Sequence, residues 1–247
     1  MATTGNIKTV LITGASSGIG LGIAKAYLER GDNVVLNARN KAKLERVVEQ
    51  LGHADRTAFV VGDIGLKETS ERMVSIARQR FGRVDLLVNN AGVFAAKPLN
   101  DYAESDLDGF LSNLKGAYFA SQAAARSMRE QGGGAIINIT TVLAFRGVSA
   151  IPSSAPVAAK GGINALTQSL AIELAPHNIR VNSVAPGIIK TPIHGRSDDQ
   201  WEELNGMQPL GRVGEVKDIV DAVTYLADAS FVTGVVLPVD GGVAAGG

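Results

Sequence analysis

Gly14, Gly18 and Gly20 lie in one short turn, Thr13-Gly14-Ala15-Ser16-Ser17-Gly18-Ile19-Gly20. The apolar run Thr9-Val10-Leu11-Ile12 precedes it. After it comes Leu21–Arg30, where Leu21, Ile23, Ala24, Tyr27 and Leu28 recur at helical spacing. A strand, a glycine-rich turn and a helix in that order form a site for an anionic group. The first helical N–H groups lack partners and face the turn, and the helix dipole adds partial positive charge. The glycines permit tight dihedrals and let a phosphate approach without meeting a β-carbon. The spacing is G-x-x-x-G-x-G with no lysine, which excludes a Walker A loop. The alternative is an ordinary glycine-rich strand-to-helix connection.

Those residues need elements to hold them, and the chain supplies short apolar runs alternating with amphipathic segments. Strands are expected at Thr9–Ile12, Asn33–Ala38, Thr57–Val61, Val84–Val88, Ala135–Ile139, Ile179–Val184 and Val235–Val239. Helices are expected at Leu21–Arg30, Lys41–Leu51, Lys67–Phe81, Asp101–Phe110, Leu111–Glu130, Ala158–Leu174 and Val216–Leu226. Strands apolar on both faces and separated by helices predict a parallel sheet covered on both sides. Right-handed crossovers then give one Rossmann-like, doubly wound α/β domain of about seven strands over residues 1–247. The longest irregular stretch, Lys190–Val213, includes His194 and Trp201 and reads as a lid over a binding site, or as a disordered insert.

In such a fold an acidic residue about 20 positions past the glycines holds the ribose hydroxyls of a dinucleotide. Here Asn37-Ala38-Arg39-Asn40 carries no carboxylate. Arg39 instead offers a planar guanidinium suited to a 2′-phosphate, and Ser16 a hydroxyl, which favours NADP over NAD. A solvated loop arginine is the alternative. Asn37 and the pair Asp63-Ile64 at the ends of the next strands join the expected cofactor set; an Asx turn is the competing role for Asp63.

Balanced charge narrows the partners. The chain has 24 basic and 24 acidic residues among 247, so it has no polyanion-binding field, and neither nucleic acid nor a membrane is expected as a partner. It has no cysteine, which removes disulfides, thiolate metal sites and cysteine nucleophiles. The N-terminal residues carry no secretory pattern and no long uncharged apolar run follows, so a cytoplasmic protein is expected.

Asn89-Asn90-Ala91-Gly92 follows the fourth expected strand. Together with the glycine turn it closely resembles the short-chain dehydrogenase/reductase family. The likeness continues through Asn113-Leu114-Lys115-Gly116, Ile136–Ile139, Ile179–Gly187, Gly211–Gly214, Val232-Thr233-Gly234 and Val239–Gly242. The resemblance implies hydride transfer between a nicotinamide and the carbon of a small-molecule alcohol or ketone, in a dimer or tetramer. It also implies that Asn90, Ala91 and Gly92 lie along the cofactor ribose. Ile189 and Thr191, after Pro186-Gly187, match positions that grip the nicotinamide carboxamide. Asn113 matches a residue that holds an active-site water. Turn chemistry for the Asn-Gly pairs and helix capping for Asn113 and Thr191 are the competing roles.

The family's proton donor is a tyrosine four residues before a helix lysine, with a hydroxyl from the fifth strand orienting the substrate oxygen. Lys160 matches the lysine and Thr141 the hydroxyl, but Pro156 stands where the tyrosine belongs, and a one-residue gap would substitute Val157. The interval from Thr141 to Pro156 is also about two residues longer than the family's. Pro156 suits the first turn of a helix capped by Ser153 or Ser154. Asn113, Thr141 and Lys160 are thus the expected catalytic positions, with Ser153, Ser154, a water held by Lys160 and Asn113, or His194 as replacement donors, and a loop histidine with no catalytic part as the favoured role of His194. Lys160 as a lysine bound only to cofactor hydroxyls is the competing reading. The functional expectation is an NADP-preferring oxidoreductase with an atypical site. The rival is a nucleotide-binding protein of the same fold with little turnover, in a regulatory role or as a tyrosine-less variant.

Overall fold

The computed structural model describes residues 7–192 and 198–246. Seven parallel strands form one sheet in the order β3-β2-β1-β4-β5-β6-β7. They are β1 (Thr9–Thr13), β2 (Asn33–Ala38), β3 (Thr57–Val61), β4 (Leu86–Asn89), β5 (Gly134–Ile139), β6 (Ile179–Pro186) and β7 (Val236–Val239). The helices are α1 (Gly18–Glu29), α2 (Lys41–Leu51), α3 (Lys67–Phe81), α4 (Glu104–Gln131), α5 (Ser154–Leu174), α6 (Asp198–Asn205) and α7 (Val216–Asp228).

Successive strand residues point to opposite faces, so each face has its own core. Val10 and Ile12 of β1 pack with Ile23 and Tyr27 of α1, Leu44 of α2 and Ile219 and Val223 of α7. Leu11, between them, packs on the other face with Met73 of α3, Met128 of α4 and Leu174 of α5. Helices therefore cover both faces, as the apolar strands require.

Two helices predicted over Asp101–Phe110 and Leu111–Glu130 are one. Residues Leu99–Asp101 form a short 3-10 turn and α4 then runs unbroken for 28 residues to an αL glycine at Gly132. Asp106 accepts from Ala103 N–H and anchors the true start, a signal masked by the mixed polarity of the first turns. The segment Lys190–Val213 also carries structure that its composition hid. It contains α6, and its base is closed by the bridge between Ile189 and Gly214. His194 lies outside the described residues.

Strand order reverses between β1 and β4, which are neighbours although α1, α2 and α3 separate them in the chain. Loops leaving the two strands diverge to opposite sides there and open a crevice at the carboxyl ends. Among the described residues no helix is long and apolar enough to cross a membrane.

Candidate active site

The turn after β1 is built on backbone that favours glycine. Gly14 has φ +65° and Gly18 φ +54°. A β-carbon on Gly14 would lie 2.7 Å from Ala91 Cα, and one on Gly20 would lie 2.6 Å from the Gly14 carbonyl. Ser17 stands at the N-cap of α1 in extended conformation and its side chain makes no capping bond. The first-turn N–H groups of α1 thus face the crevice without a side-chain acceptor. Close backbone approach, bare N–H groups and a helix dipole fit a pyrophosphate.

The second wall is locked to the first by a residue that sequence reasoning passed over. Thr13 Oγ1 accepts from Asn90 N–H at 3.0 Å and Ala91 N–H at 2.9 Å. Asn90 returns two bonds through Nδ2, to the Thr13 and Gly14 carbonyls at 2.9 and 3.1 Å. The Asn90 side chain is therefore spent on shaping the crevice, and its backbone, with Ala91 and Gly92, forms the wall. The signal was available: a threonine at the end of β1 places a side-chain oxygen where it can accept from the N–H groups of that turn.

Lys160 projects from α5 into the same space. Its Nζ donates to the Ile139 carbonyl at 2.6 Å, and a β-carbon on Gly92 would lie 3.1 Å from it. Burial away from water pushes the Lys160 ammonium down to about 8, because desolvation penalises the charged form. A buried polar chain fixes α5 behind it. Asn89 Nδ2 donates to Asn138 Oδ1 at 2.8 Å, and Asn138 Nδ2 donates to Thr167 Oγ1 at 2.8 Å. Thr167 and Ser183 share a bond of 2.7 Å. Thr167 lies two helical turns from Lys160 and so on the same face of α5. Buried asparagines on adjacent strands are a legible hint; their pairing needs the strand register, which only the sheet supplies.

Pro156 is buried in the first turn of α5, one turn before Lys160, as its fixed φ suits. The predicted serine cap is corrected. Ser153 occupies the N-cap position, but its hydroxyl donates backwards to the Ile151 carbonyl at 3.0 Å. Thr141 ends the strand side of the cleft, and its Oγ1 accepts from Leu143 N–H at 3.3 Å, leaving its hydroxyl proton free to donate elsewhere.

Together these parts line a cleft of about 500 Å³. Gly14, Ser17, Gly18 and Ile19 lie on its walls, with Asn90, Ala91, Gly92, Thr141, Lys160, Pro186, Gly187, Ile189 and Thr191. Lys160 is the one ionisable side chain among the described residues that line it. Thr191 meets the glycine turn directly, since a β-carbon on Gly18 would lie 3.5 Å from Thr191 Cβ.

Other expected residues lie outside those walls. Asn113 sits half-buried on α4 and does not line the cleft. Asn37 is buried and donates to the Val60 and Gly62 carbonyls, each at 3.1 Å, so its amide joins β2 to the exit of β3. Asp63 accepts from Gly65 N–H at 2.8 Å, the Asx turn that its position also suited. Ile64 is buried behind it, where a β-carbon on Gly116 would lie 2.7 Å from Ile64 Cγ2. Arg39 is exposed at the end of β2 and Ser16 is half-buried in the turn.

Sequence reasoning also missed Gln208 and Asp240. Gln208 is buried and donates to the Ile188 and Arg212 carbonyls, tying the Lys190–Val213 segment to the end of β6. Asp240 accepts from Gly242 and Ala244 N–H groups at 2.9 and 2.7 Å, and so curls the tail that places Val243 on the cleft wall. Glutamine and a turn aspartate carry no distinctive spacing, so only the fold could reveal these roles.

The architecture has known counterparts. The family model described as Enoyl-(Acyl carrier protein) reductase matches residues 14–244. A 3alpha-hydroxysteroid dehydrogenase of Mediterraneibacter gnavus is 38% identical, with 95% of this chain and 96% of that protein covered. An L-rhamnose 1-dehydrogenase (NAD(P)(+)) of Azotobacter vinelandii is 39% identical over 95% of this chain and 96% of its own. Among solved structures, a short-chain type dehydrogenase/reductase from Mycobacterium marinum superimposes with a TM-score of 0.89 at 32% identity, covering 96% of this chain and 95% of that one. With the glycine turn, the Asn-Asn-Ala-Gly wall and the strand order all in place, the chain belongs to the short-chain dehydrogenase/reductase family of oxidoreductases.

Proposed function

We propose that the chain binds NADP(H) across the β1/β4 crevice and transfers hydride between the nicotinamide and an alcohol or ketone, using Thr141 and Lys160. The observation that carries this reading is the position of Lys160. It is the sole ionisable group on the described cleft wall, and it stands against the Asn90–Gly92 turn. Gly14, Ser17, Gly18, Ile19 and Gly20 would cradle the pyrophosphate, and the exposed Arg39 would pair with a 2′-phosphate in preference to the bare ribose of NAD. Ile189 and Thr191 would flank the nicotinamide.

The cofactor supplies or accepts the hydride at the substrate carbon. The chain must then handle the proton at the substrate oxygen. Thr141 can donate its free hydroxyl hydrogen bond to that oxygen. Lys160, held at the Ile139 carbonyl, has its remaining ammonium protons for the ribose hydroxyls and the reacting oxygen. An ammonium near 8 is a competent acid at neutral pH. No phenol stands beside it, because Pro156 occupies the position one turn earlier. The described part of the Lys190–Val213 segment, α6 and Met207 with it, would act as the lid above the bridge between Ile189 and Gly214.

Pro156 also favours a second reading, a nucleotide-binding member of the fold with little turnover. The two are separated by Pro156→Tyr. A general acid contributes about 10²–10⁴ in rate, so the first reading expects the variant to gain at least tenfold in NADPH-dependent reduction of a ketone panel. NADPH binding with no turnover in either protein would favour the second. For assembly, α4 and α5 are the expected contact surface. Gly161 faces open space there, and Leu111 and Tyr118 are exposed. A dimer or tetramer by light scattering is the matching outcome.

A further inference from the structure

The cleft has two arms with different chemistry. One is the glycine turn with the Asn-Asn-Ala-Gly wall. The other is the rest of the wall around Lys160 and Thr141, where the described side chains are apolar apart from Thr140. Phe94 comes from the loop after β4, and Leu143 and Ile151 from the segment before α5. Leu204 lies on α6, Met207 just beyond it, and Val243 in the tail.

The few polar groups on the cleft wall are mostly committed. Thr140 Oγ1 donates to the Val184 carbonyl at 3.3 Å. Thr191 Oγ1 donates to the Ile189 carbonyl at 3.4 Å, and the Asn90 amide nitrogen is spent on the glycine turn. Thr141 and Lys160 alone are left to meet a substrate oxygen on this side. A further hydroxyl or carboxylate carried into the arm would exchange water for apolar side chains and find no partner among the described side chains. Removing a polar group from water without a partner is unfavourable, and removing a charge more so.

We infer that the substrate is an uncharged, largely hydrocarbon secondary alcohol or ketone, whose reacting oxygen is the one polar group it places against the described cleft wall. Polyhydroxylated sugars and acyl thioesters of charged carriers are disfavoured by the same wall. The inference rests on the reading that the nucleotide fills the glycine-lined arm.

The test uses the full chain saturated with NADPH and three probes: trans-1-decalone, 5-keto-D-gluconate and acetoacetyl-CoA. Binding is read by saturation-transfer NMR, which needs no turnover. Decalone is expected to bind at least tenfold more tightly than either polar probe. Met207→Asp and Phe94→Asp, both partly exposed positions, should each weaken decalone at least tenfold. Equal or tighter binding of a polar probe would overturn the inference, as would no decalone binding or unchanged binding in both variants. Loss of the nucleotide reading shows separately, as failure of NADPH itself to bind before any probe is added.

Discussion

Arg39 and Lys160 carry the two residue-level consequences. Arg39 is exposed and forms no ion pair among the described residues, so a 2′-phosphate would be its partner rather than a competitor. A charge-assisted bond of this kind changes affinity by about tenfold or more. Arg39→Ala should therefore weaken NADPH at least tenfold by calorimetry and leave NADH within about twofold; equal losses would refute the 2′-phosphate role. For Lys160 the sign follows from desolvation. Its ammonium lies at about 8 in the fold against 10.5 in the unfolded chain. Between those values the unfolded chain holds a proton that the folded chain has released, so its contribution to stability rises with pH across that window and is constant below it. Urea unfolding at pH 7.5 and 10 should show the wild type gaining on Lys160→Met at the higher pH. A gap that stays constant, or moves the other way, would mean Lys160 is better solvated than its surroundings suggest.

At the scale of elements, α5 is the part that turns a nucleotide cradle into a candidate reaction site, and the Asn89–Asn138–Thr167–Ser183 chain is what holds it. Thr167→Val keeps the volume but strands Asn138 Nδ2 and its neighbour Ser183. It should cost about 1–3 kcal/mol, read as a lower urea midpoint with unchanged slope. A loss under 0.5 kcal/mol would mean the network is dispensable. Most elements were legible because strand and helix periods differ so plainly. Lys41–Leu51, Thr57–Val61 and Lys67–Phe81 stand where the pattern places them. The start of α4 was not, because a capping aspartate and a 3-10 turn imitate a short helix. The site was legible where glycine and asparagine spacing imposes backbone shape. It was hidden where Thr13 and Gln208 act through ordinary side chains on distant backbone, and where Asp240 curls its own tail. Asn37 and Asp63 show the converse: residues at suggestive positions whose side chains also bond to the fold itself, Asn37 through Nδ2 and Asp63 through Oδ1.

Over the whole molecule, the strand order brings the ends of β1 and β4 together, and the glycine turn faces the Asn90–Gly92 wall because of that reversal. In the proposed reading the apolar side chains beyond Lys160 select the substrate, and Pro156 limits the rate. The most direct test of the central claim, that a nicotinamide dinucleotide occupies this crevice, is hydrogen–deuterium exchange with and without saturating NADPH. Protection concentrated in residues 13–20, 89–94 and 186–191 is the predicted result. No NADPH-dependent protection, or protection confined to segments outside the crevice, would contradict it.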